Sequence, residues 1–202
     1  MSDLEIFNEV DKDFDAVLRK SQYLIPSIIR KQKKSSQKEI SVAIDYISPR
    51  KNNWILIFKV NKRAASMSSL AYVKGDMTFY KTIPGDNDEH VLLKFTPHFV
   101  RRYQERFLKQ DDLALSEVMK RYIKENAVYE WKVINDGKDL YVRSSQGISL
   151  GVKEQLSHNK AVVVCKTFIT PGMLRPDQYM HVDDITKSLI EQINKDKQTY
   201  KI

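Results

Sequence analysis

The hydrophobic period of this chain changes twice, and those two changes restrict the folds open to it more than any other feature. Leu4, Phe7, Val10, Phe14, Val17 and Leu18 recur at helical spacing. From Ile40 the period drops to two, with Ile40, Val42, Ile44 and Tyr46 alternating with Ser41, Ala43 and Asp45. That is the pattern of a strand with one buried face. At Thr96-Pro97 the helical spacing returns, with a hydroxyl suited to cap a helix and a proline suited to its first position. These changes predict an α+β fold with a mostly antiparallel sheet, an N-terminal helical segment, a central helix pair and a C-terminal helix.

Local signals place the elements within that outline. The first twenty residues form one amphipathic helix, and a second helical stretch covers Tyr23 to Ile29 with Pro26 near its first turn. Trp54 to Phe58 is apolar throughout, as expected of a central strand. Leu70–Val73 and Met77–Tyr80 flank Lys74-Gly75-Asp76 as a hairpin, and Val91–Phe95 adds a strand. A helix is expected from Pro97 to Leu108, followed by one capped by Asp111 or Asp112. Strands follow at Tyr129–Ile134, Leu140–Arg143, Ile148–Glu154 and Ala161–Ile169, with Asn135-Asp136-Gly137 linking the first two and short connections favouring a meander. Val182 to Lys195 reads as the terminal helix, with Asp183-Asp184 suited to capping it. Residues 1–38 are thus an N-terminal helical extension and 39–202 one α+β domain.

Charge and cysteine content narrow the class. The 202 residues carry a formal charge of +8, a surplus that favours polyanions, RNA first. An acidic protein surface is the alternative partner. Met1-Ser2-Asp3-Leu4-Glu5 is acidic where a secretory leader is basic, and no apolar run is long enough to span a bilayer. Cys165, the single cysteine, lies in the apolar run Ala161–Cys165 and reads as a small buried hydrophobe. A chain with one cysteine forms no internal disulfide, which fits a reducing cytoplasm, and the lack of a spanning run argues for no membrane partner.

The candidate chemistry lies mainly in one segment. His98, Arg102, Glu105 and Arg106 fall on one edge of the Pro97 helix, while Phe99, Tyr103 and Phe107 occupy the neighbouring apolar face. An imidazole beside two guanidiniums suits a phosphodiester, since histidine moves protons near neutral pH and arginine clamps phosphate oxygens. The same residues also serve as ordinary helix-surface ion pairs with Glu105. Lys31, Lys33 and Lys34 form a basic cluster that is either a phosphate-contacting patch or a solvated connection. Tyr72, Phe79, Tyr80, Tyr129, Trp131 and Tyr141 either stack bases on a sheet face or fill the core. The four histidines are scattered, and no glycine-rich phosphate loop is present, so neither a metal nor a cofactor is expected.

The His98, Arg102, Arg106 helix, a second helix, and strands including Leu140–Arg143 and Val162–Thr167 resemble the RelE/barnase-like group of ribonuclease toxins over about residues 95–170. The resemblance implies a metal-independent endoribonuclease, with His98 as acid or base and Arg102 and Arg106 as phosphate clamps. It also implies that Arg143, Lys153 and Thr167 assist from the sheet. A non-catalytic nucleic-acid-binding or protein-interaction module is the other reading.

Overall fold

The computed structural model describes residues 1–85, 88–126, 130–134, 139–176, 178 and 183. Helix α1 runs from Asp3 to Lys34 as a single rod. Ser2 opens it with a capping box, its hydroxyl accepting from the Glu5 N–H while the Glu5 carboxylate accepts from the Ser2 N–H. The two helical stretches expected, the first twenty residues and Tyr23 to Ile29, are therefore one. A proline inside a helix costs about 3 kcal/mol. Ile28 is buried beyond it, and Leu24, Ile25 and Ile29 pack on the same side, which offsets that cost through burial.

The strands form two antiparallel meanders. The first holds β1 (Glu39–Ile47), β2 (Asn53–Asn61), β3 (Ala65–Val73), β4 (Thr78–Pro84) and β5 (His90–Phe95). The second holds β6 (Glu130–Ile134), β7 (Asp139–Ser144), β8 (Gly147–Ser157) and β9 (Lys160–Ile169). Together they make one nine-stranded sheet in the order β1-β2-β3-β4-β5-β9-β8-β7-β6. The joint is β5 against β9, which pair in parallel; every other pairing is antiparallel.

Between the meanders lie α2 (Pro97–Tyr103), a π-helical turn (Gln104–Leu108) and α3 (Leu115–Glu125). Thr96 caps α2 as expected, but Asp111 and Asp112 do not cap α3. That helix starts three residues later than Asp111 and two later than Asp112 would place it, with Ala114 at the cap position and no side-chain cap. The expected helix from Val182 to Lys195 and the turn Asn135-Asp136-Gly137 lie outside the described residues. No helix is long and apolar enough to cross a membrane among the described residues.

Helices cover both faces of the sheet, which explains the unbroken apolar runs. Trp54, Leu56, Phe58 and Val60 face α1, together with Phe7, Val10 and Val17. Ile55 and Ile57 face the other way, into a core shared with α2 and α3. That second core centres on Phe99, Tyr103, Tyr122 and Phe168, with Tyr103 5.0 Å from Tyr122 and 5.1 Å from Phe168 between ring centroids. Gly147 leaves space for it, because a Cβ there would run into the Phe168 ring. The Tyr103 hydroxyl and the Asn126 amide both donate to the Gln146 side chain, tying the β7–β8 turn to the helices.

On the α1 side a buried carboxylate anchors the helix. Asp13 is fully buried, and its Oδ2 accepts from the Trp54 indole at 3.0 Å and from the Asn52 amide at 2.8 Å. Asp13→Ala should destabilise the protein by about 1–3 kcal/mol, because two donors lose their acceptor. Asp13→Asn, which keeps a carbonyl oxygen, should cost less. Urea denaturation followed by tryptophan fluorescence distinguishes this from a surface role, for which both substitutions would leave the midpoint unchanged.

Candidate nucleic-acid interface

The end of β5 sets the position of the α2 edge. Thr96 donates its backbone N–H to the Cys165 carbonyl, and its hydroxyl accepts from the Phe99 N–H at 3.2 Å. Helix α2 therefore starts directly above β9. His98 is exposed, and its Nε2 accepts from Arg102 Nε at 3.4 Å. Arg102 Nη1 in turn donates to Glu105 at 2.8 Å. These three residues thus meet on one helix edge.

Arg106 does not complete that group. The π-helical turn widens the helix before it, and Arg106 Nη1 donates to the Phe168 carbonyl at 2.7 Å. The same turn keeps Phe107 stacked on Tyr103, at 5.4 Å and 9° between ring planes. Arg106 therefore joins the helix to β9 and is half-buried there.

The sheet residues are dispersed. Val142 and Phe168 point into the core beneath α2 and α3, so alternation along each strand places their neighbours Arg143 and Thr167 on the opposite face. Tyr141 and Ile169, next in the alternation, pack together on that opposite face. Lys153 donates to Glu89 at 2.6 Å. None of these three sits beside His98. The candidate stacking aromatics are core: Phe79, Tyr80 and Tyr141 are buried, while Tyr72 and Trp131 pack against the helix-side core. Tyr129 lies outside the described residues.

The basic residues sort by whether an acid already holds them. Lys94 pairs with Asp3, Lys160 with Asp11, Lys120 with Asp45 and Glu117, and Arg50 with Glu9, all at 2.7–2.9 Å. At the C-terminal end of α1, Arg30, Lys31, Lys33 and Lys34 are exposed. The register Glu39↔Asn61 brings the β2–β3 turn beside the α1–β1 connection. Lys38 therefore lies next to Lys62 and Arg63, and all three are exposed.

Both segments are locally ordered. Gln32, buried, extends its amide toward the Gln37 and Lys38 carbonyls at 3.4 Å. In the β2–β3 turn, the Asn61 side chain accepts from the Arg63 and Ala64 N–H groups, both at 2.8 Å. Seven cations thus share one end of the sheet with Glu39 as the acid in those segments. Lys38, Lys62 and Arg63 were absent from the sequence-based candidates. Asn61 ahead of two polar residues was the available signal, as a turn former closing the strand from Trp54.

Among the described residues no group of three His, Cys, Asp or Glu side chains could hold a metal ion. Cys165 is fully buried, and burial pushes its thiol up to about 12. No protein-family model, curated protein or solved structure matches the chain.

Native protein at pH 8 should therefore react with a thiol reagent far more slowly than free cysteine, whose ordinary pKa is about 8.5. One thiol per chain should appear after denaturation. Labelling of the native protein at the free-cysteine rate would show that Cys165 is accessible as thiolate.

Proposed function

We propose that this protein binds RNA through the basic end of its sheet, holding phosphates without reading sequence. The observation that carries this reading is the register Glu39↔Asn61, which brings Lys38 beside the turn that carries Lys62 and Arg63, while the Gln32 amide ties the basic end of α1 to Lys38. Cations held by fixed backbone rather than by a loose tail form a surface already arranged for a polyanion, and binding then releases counterions. Affinity for RNA should fall steeply with salt. Replacing Lys62 and Arg63 with Glu should weaken binding across sequences and lower the salt slope by about 0.7 or more per lost phosphate contact. Reversal of Lys31, Lys33 and Lys34 should act in the same direction. Fluorescence anisotropy with labelled RNA at several salt concentrations measures both effects. Unchanged affinity in both variants would move the site elsewhere, and no RNA affinity at low salt would favour an acidic protein partner.

A second reading, metal-independent RNA cleavage, draws support from the hydrogen bond between Arg102 Nε and His98 Nε2. In that bond Nε2 accepts from Arg102, and a substrate that draws Arg102 onto its phosphate would leave the imidazole nitrogen facing the reacting group. Under this reading His98→Ala lowers cleavage by about a hundredfold or more while RNA affinity and thermal stability stay near wild type. Undiminished cleavage by the variant, or none by the wild type across pH, would end it.

A further inference from the structure

A cleft of about 690 Å³ lies between α1 and the beginnings of β5 and β9, within the size range of small-ligand sites. Its inner wall already holds an ammonium group. Lys160 Nζ donates to Asp11 at 2.8 Å and to Asn8 at 3.0 Å, and it lies 4.6 Å from the centroid of Phe7. Carboxylate, amide and aromatic face together form a recognised environment for an organic cation.

The same helix face repeats the two main components farther along. Phe14 follows Phe7 by two turns and Asp15 follows Asp11 by one, and all four line the cleft. Phe14 is 40% exposed, although aromatic rings of its size are usually covered. Asp88 lines the cleft from the segment leading into β5. Asp11 is paired with Lys160 and Glu89 with Lys153, so the inner carboxylates are already compensated. Asp15 and Asp88 are exposed and bond no described residue. The outer cleft therefore combines two uncompensated negative charges with an open ring and the apolar side chain of Ile83.

We propose that this cleft binds a dicationic alkyl chain, one ammonium or guanidinium group lying over Phe14 against Asp15 and the second reaching Asp88. The methylene spacer would pack along Phe14 and Ile83. A free polyamine and a lysine-bearing peptide segment both present this chemistry.

Isothermal titration of the full chain at low salt tests it, with putrescine, butylamine and a neutral-capped lysine-leucine-lysine tripeptide as probes. Putrescine or the peptide should bind with one-to-one stoichiometry, and butylamine about tenfold or more weaker because it offers one charge. Tighter binding of putrescine would mark the natural ligand as a small polyamine, and tighter binding of the peptide would mark it as a protein segment. Phe14→Ala and Asp15→Asn should each weaken the dication by about three- to tenfold. Both side chains are exposed, so circular dichroism should show the fold retained. Glu125→Gln, on α3 across the sheet, should leave affinity unchanged. The proposal is overturned if neither dication binds, if both cleft variants bind as wild type, or if Glu125→Gln weakens binding as much as they do.

Discussion

The parallel pairing of β5 with β9 joins the two meanders and sets where the helices between them lie. Each meander pairs strands that are neighbours in sequence, and among the described residues the contacts from His90↔Lys160 to Phe95↔Cys165 join the two into one sheet. Val91, Leu92 and Leu93 on one strand and Ala161 through Val163 on the other are buried, because the centre of the sheet is covered on both faces. Each such valine or leucine side chain contributes about 1.5–3 kcal/mol when removed from water. The pairing also directs α2. Thr96 leaves β5 bonded to the Cys165 carbonyl, so the helix edge that carries His98 and Arg102 is fixed relative to β9 before any of its own side chains make contact. Arg106 then closes the loop by reaching the Phe168 carbonyl.

Electrostatic pairing divides the basic residues into two populations with different consequences. Lys94 and Lys160 hold the acidic first half of α1 onto the sheet through Asp3 and Asp11. Lys153 and Lys120 join separate elements in the same way, through Glu89 and Asp45. Their charge is largely cancelled at short range and adds little to the outward field. Formal net charge counted from composition cannot make this distinction, since it weights Lys160 and Lys62 equally. The exposed cations near the β2–β3 turn belong to the second population, with no acid holding them among the described residues.

Local elements were legible from sequence, whereas relations between distant elements were not. Period-two alternation located β1, and the Thr96-Pro97 signal located α2. The burial of Cys165 followed from its apolar neighbours. The parallel partner of β5 lies beyond a helix pair and three strands, and no local pattern announces such a pairing. Pro26 suggested a break because propensity describes an isolated helix, while packing on the sheet carries α1 through it. The helical wheel placed Arg106 beside His98 by assuming regular geometry, which the π-helical turn abolishes. Arg143 and Thr167 looked available because a sequence does not say which face of a strand looks toward which helix. Lys62 and Arg63 were overlooked for the converse reason: their significance depends on a register with residues more than twenty positions earlier.

The charge asymmetry of α1 has an explanation that involves no ligand. A helix dipole favours acids at its N-terminus and bases at its C-terminus by about 0.3–1 kcal/mol each, and the effect fades within the terminal turn. Asp3, Glu5, Lys31, Lys33 and Lys34 all lie where that effect operates. Their placement is therefore accounted for by helix stability and by itself carries little information about a partner. Lys38, Lys62 and Arg63 stand outside the helix and gain nothing from its dipole. They also crowd like charges against the helix end, which costs stability where no anion intervenes. The proposed polyanion binding rests on this cluster, assembled from two chain segments against its own repulsion, and Lys38, Lys62 and Arg63 carry that proposal further than the lysine run that stands out in the sequence.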